Sequence, residues 1–211
     1  LSEKGVDVKY LSDKWDIYSL KNILRLTKIL NDYDLVHTHI YSAQLWTAFS
    51  SYFLKNKKYI TTEHNTSNNR RDKKIFKILD KWMYSRYSTI VSITDTTEKS
   101  LKNWIGDFKN SKIIANGVNI DNYLNAKKLD RKQFGFKEKD ILLCQIARFS
   151  DIKNHETTVK ALKELPENYK VLFLGEGDRK NSIETLAKKL SVDKRIYFLG
   201  YRDDIPSVLK M

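Results

Sequence analysis

The chain has 211 residues, of which 41% are hydrophobic and 12% aromatic, and this composition excludes a mainly disordered protein. Its 39 Lys and Arg against 26 Asp and Glu give a net charge of +13, which favours an anionic partner: a phosphorylated substrate, an acidic lipid surface or a nucleic acid. No apolar run is long enough to span a bilayer. The single cysteine excludes internal disulfides and cysteine-based metal sites, and it fits a cytoplasmic setting.

The first half of the chain alternates between strand and helix patterns. The predicted strands are 5–10, 34–39, 58–62, 89–93 and 111–115. The predicted helices are 17–30, 42–54, 73–86 and 96–105. Such alternation, with short polar joints, predicts a parallel sheet covered on both faces. Because the chain opens on Leu1 and closes just after a helix pattern starts, we expect a fragment of a longer protein.

Periodicity lapses and charge rises between residues 119 and 139, which predicts a boundary between domains of residues 1–121 and 122–211. The alternation then resumes, with predicted strands 141–147, 169–174 and 195–199 and predicted helices 155–165 and 180–190. The apolar strand 141–147 has the composition of a strand buried on both faces. The sequence therefore predicts an α/β protein with two consecutive α/β units and a ligand-binding cleft between them.

The loop after strand 141–147 carries two cations, Arg148 and Lys153, and leads into a helix. In an open α/β sheet, a cationic loop between a strand's carboxyl end and a helix N-terminus is a common site for anionic ligands. We therefore predict that Arg148 and Lys153 hold a diphosphate.

Each of the next two strands is followed by a turn that could bind a ligand or could serve only to reverse the chain. Gly175, Glu176 and Gly177 follow the first, and glycine lets a backbone approach a ligand closely. Tyr201 and Arg202 follow the second, where an aromatic ring can stack on a base. Both patterns also occur in turns that have no ligand.

Three histidines, His37, His39 and His64, fall at or just after strand ends in the first half. There is no paired carboxylate pattern and no HxxxH helix, so we predict no metal site. His64, in a loop, is better interpreted as a hydrogen-bond donor to a ligand, and His37 as a packed strand residue. Asn116 and Gly117 form a joint after a strand that is also typical of a simple turn.

The segment 70–81 contains six Lys and Arg residues and predicts a basic amphipathic helix with Ile75, Ile78 or Leu79, and Trp82 on one face. We favour a domain helix whose apolar face lies in the core. The alternative, a helix that lies on anionic lipid headgroups, stays open and would make the protein peripheral to a membrane.

Seven segments follow one another in this order: DLVHTH, TTEHNT, IVSIT, KIIANGVNIDNY, ILLCQIARFSDIKNHETTVKAL, VLFLGEGDRKNSIETLAKKL and RIYFLGYRDDI. Together they resemble the retaining glycosyltransferases of family 4, which have the GT-B fold. By this resemblance the chain has two Rossmann-like domains, the second incomplete. The resemblance covers nearly the whole chain, and the order of the segments is far more specific than any one of them.

The resemblance implies transfer of a sugar from a nucleotide-sugar donor to an acceptor hydroxyl with retained anomeric configuration, in bacterial polysaccharide or glycolipid synthesis. Arg148 and Lys153 match the pair that neutralises the departing diphosphate. His64 matches a first-domain histidine that reaches the transferred sugar. Asn116 and Gly117 match the segment that enters the interdomain hinge.

The resemblance also assigns the donor-binding turns. Gly175, Glu176 and Gly177 match the turn beneath the nucleotide, and Tyr201 with Arg202 matches the loop that borders the base. The family does not usually require a metal, so we expect no cofactor beyond the donor itself. A lipid-linked or saccharide acceptor fits the basic first domain.

The chain departs from the family pattern at both ends. Family members begin with a further strand and a glycine-rich loop, and they continue into an acidic motif that grips the donor's sugar and ribose. We therefore expect half of a donor site here and little activity from this piece alone.

Two other classes of function compete with sugar transfer. A non-catalytic nucleotide-sugar-binding or assembly protein stays open. A nucleic-acid-binding protein would fit the net charge, but the basic residues are dispersed, and the sequence has no helix-turn-helix, RNA-recognition or zinc-finger pattern. We therefore expect no nucleic-acid partner.

Overall fold

The computed structural model describes residues 5–11, 16–68, 70–71 and 73–211. The chain forms two compact units, Leu1–Gly117 and Val118–Met211, and the first ends four residues before the end of the predicted first domain. Each unit is built on a parallel sheet, which confirms the predicted α/β class.

The first unit contains four parallel strands in the order β1-β2-β3-β4. The strands are β1 Leu35–His39, β2 Lys58–Glu63, β3 Thr89–Ser92 and β4 Ser111–Ile113. The helices are α1 Lys21–Leu30, α2 Tyr41–Ser50, α3 Lys74–Ser85 and α4 Asp95–Ile105. Neighbouring strands are parallel, and near their carboxyl ends His39 of β1 pairs with Thr62 of β2, and Glu63 of β2 with Ser92 of β3. The carboxyl ends of these strands therefore lie at one edge of the sheet.

Two expectations for the start of the first unit are wrong. Residues 5–10, predicted as a strand, have no strand partner in the part of the chain that the structure describes. Helix α1 begins four residues later than predicted, and two apolar residues of the predicted helix, Leu20 and Leu24, are 72% and 66% exposed. Apolar residues occur on more than one side of this segment, and the core covers only the side that carries Ile23 and Leu26.

Helix α3 buries only part of the apolar face that the sequence predicted, and the favoured expectation that Ile75 lies in the core is wrong. Leu79 and Trp82 pack against the core, whereas Ile75 and Ile78 are 73% and 75% exposed. Of the two residues that the sequence offered for the buried face, Ile78 and Leu79, it is therefore Leu79 that packs against the core. Asp72, just before the helix, lies outside the described residues. In the described ranges, no helix combines the length and apolar content needed to cross a membrane.

The second unit contains three parallel strands in the order β5-β6-β7. The strands are β5 Ile141–Ile146, β6 Tyr169–Leu174 and β7 Ile196–Gly200, and the helices are α5 Ile120–Leu124, α6 His155–Glu164, α7 Lys180–Lys189 and α8 Ile205–Leu209. Alternate residues of β6 enter two separate clusters, because successive side chains of a strand point to opposite faces. Val171 and Phe173 pack with α6 and α7, and Leu172 and Leu174 pack with α8.

Strand β5 is not buried on both faces, contrary to its composition. Four of its six residues are exposed, Cys144 among them. In the described part of the chain, β5 is an edge strand paired with β6, and the buried residues of α6 pack over β6. An apolar sequence indicates a preference for burial but does not specify which neighbour supplies it.

Candidate functional site

A cavity of about 670 Å³ opens at the carboxyl ends of β5, β6 and β7. Its lining consists of Ile146, Ala147, Arg148, Leu174, Gly175, Glu176, Gly177, Tyr201, Arg202 and Ile205. Six of these residues were predicted from the sequence as site residues. They come from three separate loops, and the structure brings them together in one cavity. Parallel strands produce this result because their carboxyl ends share one edge of the sheet.

The floor of this cavity is main chain pressed against main chain. Gly175 has φ +138°, and a Cβ built there would lie 2.3 Å from the carbonyl oxygen of Ala147. Gly177 has φ +154°, and its Cβ would lie 2.4 Å from the carbonyl oxygen of Phe149. The amide of Phe149 donates to the carbonyl oxygen of Glu176 at 3.1 Å and ties the two loops together. Glycine is therefore required here by the packing of the two loops, whatever the cavity binds.

One positive charge at the rim belongs to Arg148, whose side chain is 71% exposed. Its guanidinium lies 3.4 Å from the carboxylate of Asp178, which is 92% exposed. An ion pair this open to water contributes little, so the guanidinium remains available to an anion.

Arg202 is held more firmly than Arg148. Its Nε and Nη2 donate to the two carboxylate oxygens of Asp204 at 2.7 and 2.6 Å. This fork-shaped hydrogen bond lowers the pKa of Asp204, which therefore stays ionised beside the guanidinium. Next to it, Tyr201 is 82% exposed, so the face of its ring is open to a ligand.

Lys153 is the predicted cation that does not line the cavity. It ends a short 3₁₀ turn, Asp151–Lys153, and its side chain is exposed. Of the two predicted cations, Arg148 lines the cavity and Lys153 does not. The convergence of both on one diphosphate stays a prediction.

In the first unit, the parallel register brings the three predicted histidines close together. Nδ1 of His39 and Nε2 of His64 are 2.9 Å apart, and the rings of His37 and His39 are 4.4 Å apart. Burial and the two neighbouring imidazoles lower the pKa of His39. His37 is exposed rather than packed, and its Nε2 lies 2.8 Å from Oγ1 of Thr62.

The loop that carries His64 is held by residues that the sequence analysis missed. The buried Glu63 accepts hydrogen bonds from the amide of Asn65, at 3.2 Å, and from the hydroxyl of Tyr84. On the other side of His64, Arg71 Nη1 donates to the carbonyl oxygen of Thr66 at 2.6 Å. The available signal was the glutamate in TTEHNT, because a carboxylate at a buried strand end needs partners.

Asn116 and Gly117 follow β4 at the end of the first unit, and both are exposed. A Cβ at Gly117 would meet nothing within 4 Å. The packing of this unit therefore does not require glycine there, and the hinge role stays a prediction.

Comparison with family models divides the chain much as its fold does. Residues 3–122 match Glycosyltransferase Family 4. Residues 126–211 match glycosyl transferases group 1. The two matches adjoin within the segment that the sequence analysis assigned to the domain boundary.

Curated relatives with similar sequences are glycosyltransferases. The UDP-Gal:alpha-D-GlcNAc-diphosphoundecaprenol alpha-1,3-galactosyltransferase of Escherichia coli is 24% identical over 92% of this chain and 54% of its own length. A Campylobacter jejuni N-acetylgalactosaminyltransferase, whose name also specifies a diphospho-undecaprenol substrate, is 29% identical over 44% of this chain and 24% of its own length. The chain spans about half the length of the first of these relatives.

Among solved structures, the Anabaena protein Alr3699/HepE in complex with UDP and glucose superposes with a TM-score of 0.84 at 17% identity, over 99% of this chain and 60% of its own. A glycosyltransferase from Rickettsia africae superposes with a TM-score of 0.68 at 19% identity, over 97% of this chain and 56% of its own. At these identities the likeness shows the fold alone, which is the GT-B fold that the family resemblance implied.

Proposed function

We propose, from the premise that this chain belongs to Glycosyltransferase Family 4, that the complete protein transfers a sugar from a nucleotide-sugar donor to an acceptor hydroxyl with retention at the anomeric carbon. The observation that carries the proposal is the cavity of the second unit. It combines a main-chain floor at Gly175 and Gly177 with an available guanidinium and an open aromatic ring at its rim. These are the groups needed to hold a diphosphate and a flat base.

The reaction explains why cations belong at this rim. The bond between the anomeric carbon and the diphosphate oxygen breaks, and its electron pair leaves with the nucleoside diphosphate. The acceptor oxygen forms the new bond on the same face and passes its proton to an oxygen of the departing diphosphate. Negative charge grows on the departing oxygen, so cations placed there stabilise the transition state more than the bound donor. We propose that Arg148, at the rim, and Lys153, from the turn that follows it in the chain, supply that charge without a metal ion.

The other predicted residues take roles around this bond. Tyr201 and Arg202 border the base, and the 175–177 turn admits the ribose and phosphates. His64 reaches the transferred sugar, with its ring fixed by the 2.9 Å contact to His39.

The comparisons suggest a donor and an acceptor. Alr3699/HepE was crystallised with UDP, and the relatives from E. coli and C. jejuni carry diphospho-undecaprenol substrates in their names. We therefore propose a uridine nucleotide sugar as donor and a lipid-linked acceptor, in bacterial polysaccharide or glycolipid synthesis.

The test is turnover by the complete protein that carries this sequence. A panel of nucleotide sugars is offered with an undecaprenyl-diphosphate-linked sugar, nucleotide release is measured, and the product's anomeric configuration is read by NMR. We expect release with a UDP-sugar and a linkage of the donor's own configuration. An inverted product would contradict retention. Binding of nucleotide sugars without release from any of them would favour the non-catalytic alternative.

A lipid-linked acceptor requires access to a membrane, and the surface of α3 offers a means. The α3 patch consists of the exposed apolar residues Ile75 and Ile78 and the exposed lysines Lys74, Lys77 and Lys81. Apolar side chains that enter the headgroup layer beside lysines are the features of a surface-lying helix. We propose that the patch contacts anionic lipid.

The apolar surface continues beyond α3 onto the end of α2. Trp82 lies one turn after Ile78, and its Nε1 donates to the hydroxyl of Tyr52 at 2.9 Å while the two rings stack. Tyr52 is 53% exposed. Aromatic residues are favoured at the level of lipid headgroups, which extends the same surface.

The α3 patch predicts lipid-dependent binding. Ile75→Ser with Ile78→Ser should lower partitioning onto phosphatidylglycerol vesicles at least 10-fold, because little apolar surface would remain to insert. Replacing the three lysines by glutamine should remove about 1 kcal/mol of attraction per residue. Co-sedimentation at fixed salt measures both effects.

The matched control for the isoleucines is Leu24→Ser on α1, which changes a residue of similar exposure on another helix. Equal loss of binding in the control and the α3 variant would contradict the assignment. So would equal binding of the unchanged protein to phosphatidylcholine and phosphatidylglycerol vesicles.

A further inference from the structure

The loop that carries Lys153 is held by a side chain with no role in the site described so far. Gln145, in β5, donates from Nε2 to the carbonyl oxygen of Lys153 at 2.9 Å. The other end of the same amide, Oε1, accepts from the hydroxyl of Thr158, in α6, at 2.8 Å. The glutamine thus links the strand before the loop, the loop itself and the helix after it.

A second side chain holds the same loop at both of its ends. Arg179, from the turn before α7, places Nη1 3.1 Å from the carboxylate of Asp151 and Nη2 2.7 Å from that of Glu156. These two carboxylates precede and follow Lys153 in the chain. The arginine is 41% exposed, so each pair is weak, but together they join the start of the 3₁₀ turn to the first turn of α6.

The backbone at Lys153 is closely defined. Its amide donates to the carbonyl oxygen of Ser150 at 3.1 Å, and Asn154 after it has the left-handed conformation, with φ 47° and ψ 47°. The lysine side chain is exposed and has the large rotamer freedom of its type. Fixing its backbone limits the volume through which the ammonium group moves.

We propose that Gln145 is a positioning residue for Lys153, and that Thr158 orients the Gln145 amide for this purpose. The inference rests on the proposed function, in which Lys153 neutralises the departing diphosphate. An amide in a strand of otherwise apolar sequence is the unusual choice, since apolar side chains pack better in strands. Here its two hydrogen bonds fix the end of the loop, where Lys153 lies two residues before α6.

Charge stabilisation of a departing group depends on position, because a displacement of about 1 Å weakens a preorganised contact that exists only in the transition state. Loss of the Gln145 contacts should therefore act on kcat. The donor's KM should change little, since the base and ribose are held by other loops.

The test compares Gln145→Leu, Lys153→Ala and the double variant in the complete protein. Gln145→Leu keeps a similar volume and removes both hydrogen bonds. We expect it to lower kcat about 10- to 100-fold with the donor's KM within threefold. In the Lys153→Ala background it should have no further effect, because it acts through that lysine. Thr158→Val, which leaves the bond to Lys153 in place, should lower kcat only about threefold.

Gln133→Leu, an exposed glutamine in the same unit, is the matched control and should leave kcat unchanged. Thermal unfolding measures whether each variant is folded. If Gln145→Leu is not folded, Thr158→Val takes its place, and a normal kcat in that variant then overturns the proposal. The proposal is overturned if Gln145→Leu keeps normal kcat, or if its effect multiplies with that of Lys153→Ala. If Lys153→Ala alone leaves turnover unchanged, it is the phosphate role within the proposed function that fails.

Discussion

Replacement of Arg148 by alanine in the complete protein should lower kcat/KM for the nucleotide sugar roughly 30- to 1000-fold, or about 2–4 kcal/mol of transition-state stabilisation. The guanidinium lies at the rim of the cavity, and its 3.4 Å contact with Asp178 is too exposed to compete with a diphosphate. Steady-state measurement of nucleotide release gives the ratio directly.

Arg148→Lys separates charge from geometry. It keeps the positive charge but loses the planar pair of donors that matches phosphate oxygens, so an intermediate rate is expected. Arg25→Ala removes an exposed arginine from α1 and should leave turnover unchanged. If Arg148→Ala turns over as fast as Arg25→Ala, the arginine has no part in catalysis.

The order of strands and helices could be predicted because each pattern depends on residues close together in the chain. Strand β6 has the predicted bounds, and α6 ends within one residue of its predicted end. The cavity followed from the same local information. Once the strands are parallel, the loops that begin at Arg148, Gly175 and Tyr201 must lie at one edge of the sheet.

The errors share a different physical origin. The exposure of β5 and of Ile78 depends on which neighbouring element covers each face, and the apolar pattern of a segment contains no information about its neighbours. The same limit applies to Gln145, whose role depends on two partners, one eight and one thirteen residues away. The His39–His64 contact joins residues 25 positions apart, and only the register of β1 on β2 brings them together.

The glycine turn leads to the largest expected effect on folding. Gly175→Ala or Gly177→Ala should lower the free energy of unfolding of the second unit by about 3 kcal/mol and abolish nucleotide binding. The added methyl group meets a carbonyl oxygen at 2.3 or 2.4 Å, and that oxygen belongs to main chain in the adjoining loop, which cannot rotate away. Urea unfolding and titration with UDP measure the two consequences.

Gly135→Ala distinguishes the clash from backbone strain. Gly135 also has positive φ, +76°, but a Cβ there would meet nothing within 4 Å. The substitution should therefore cost only the left-handed strain, about 1 kcal/mol, and leave UDP binding intact. If Gly175→Ala unfolds at the same urea concentration as Gly135→Ala, the loops separate easily, and a rigid main-chain floor is the wrong description of the cavity. If it unfolds earlier but binds UDP normally in its folded state, the 175–177 turn supports the fold and does not contact the nucleotide.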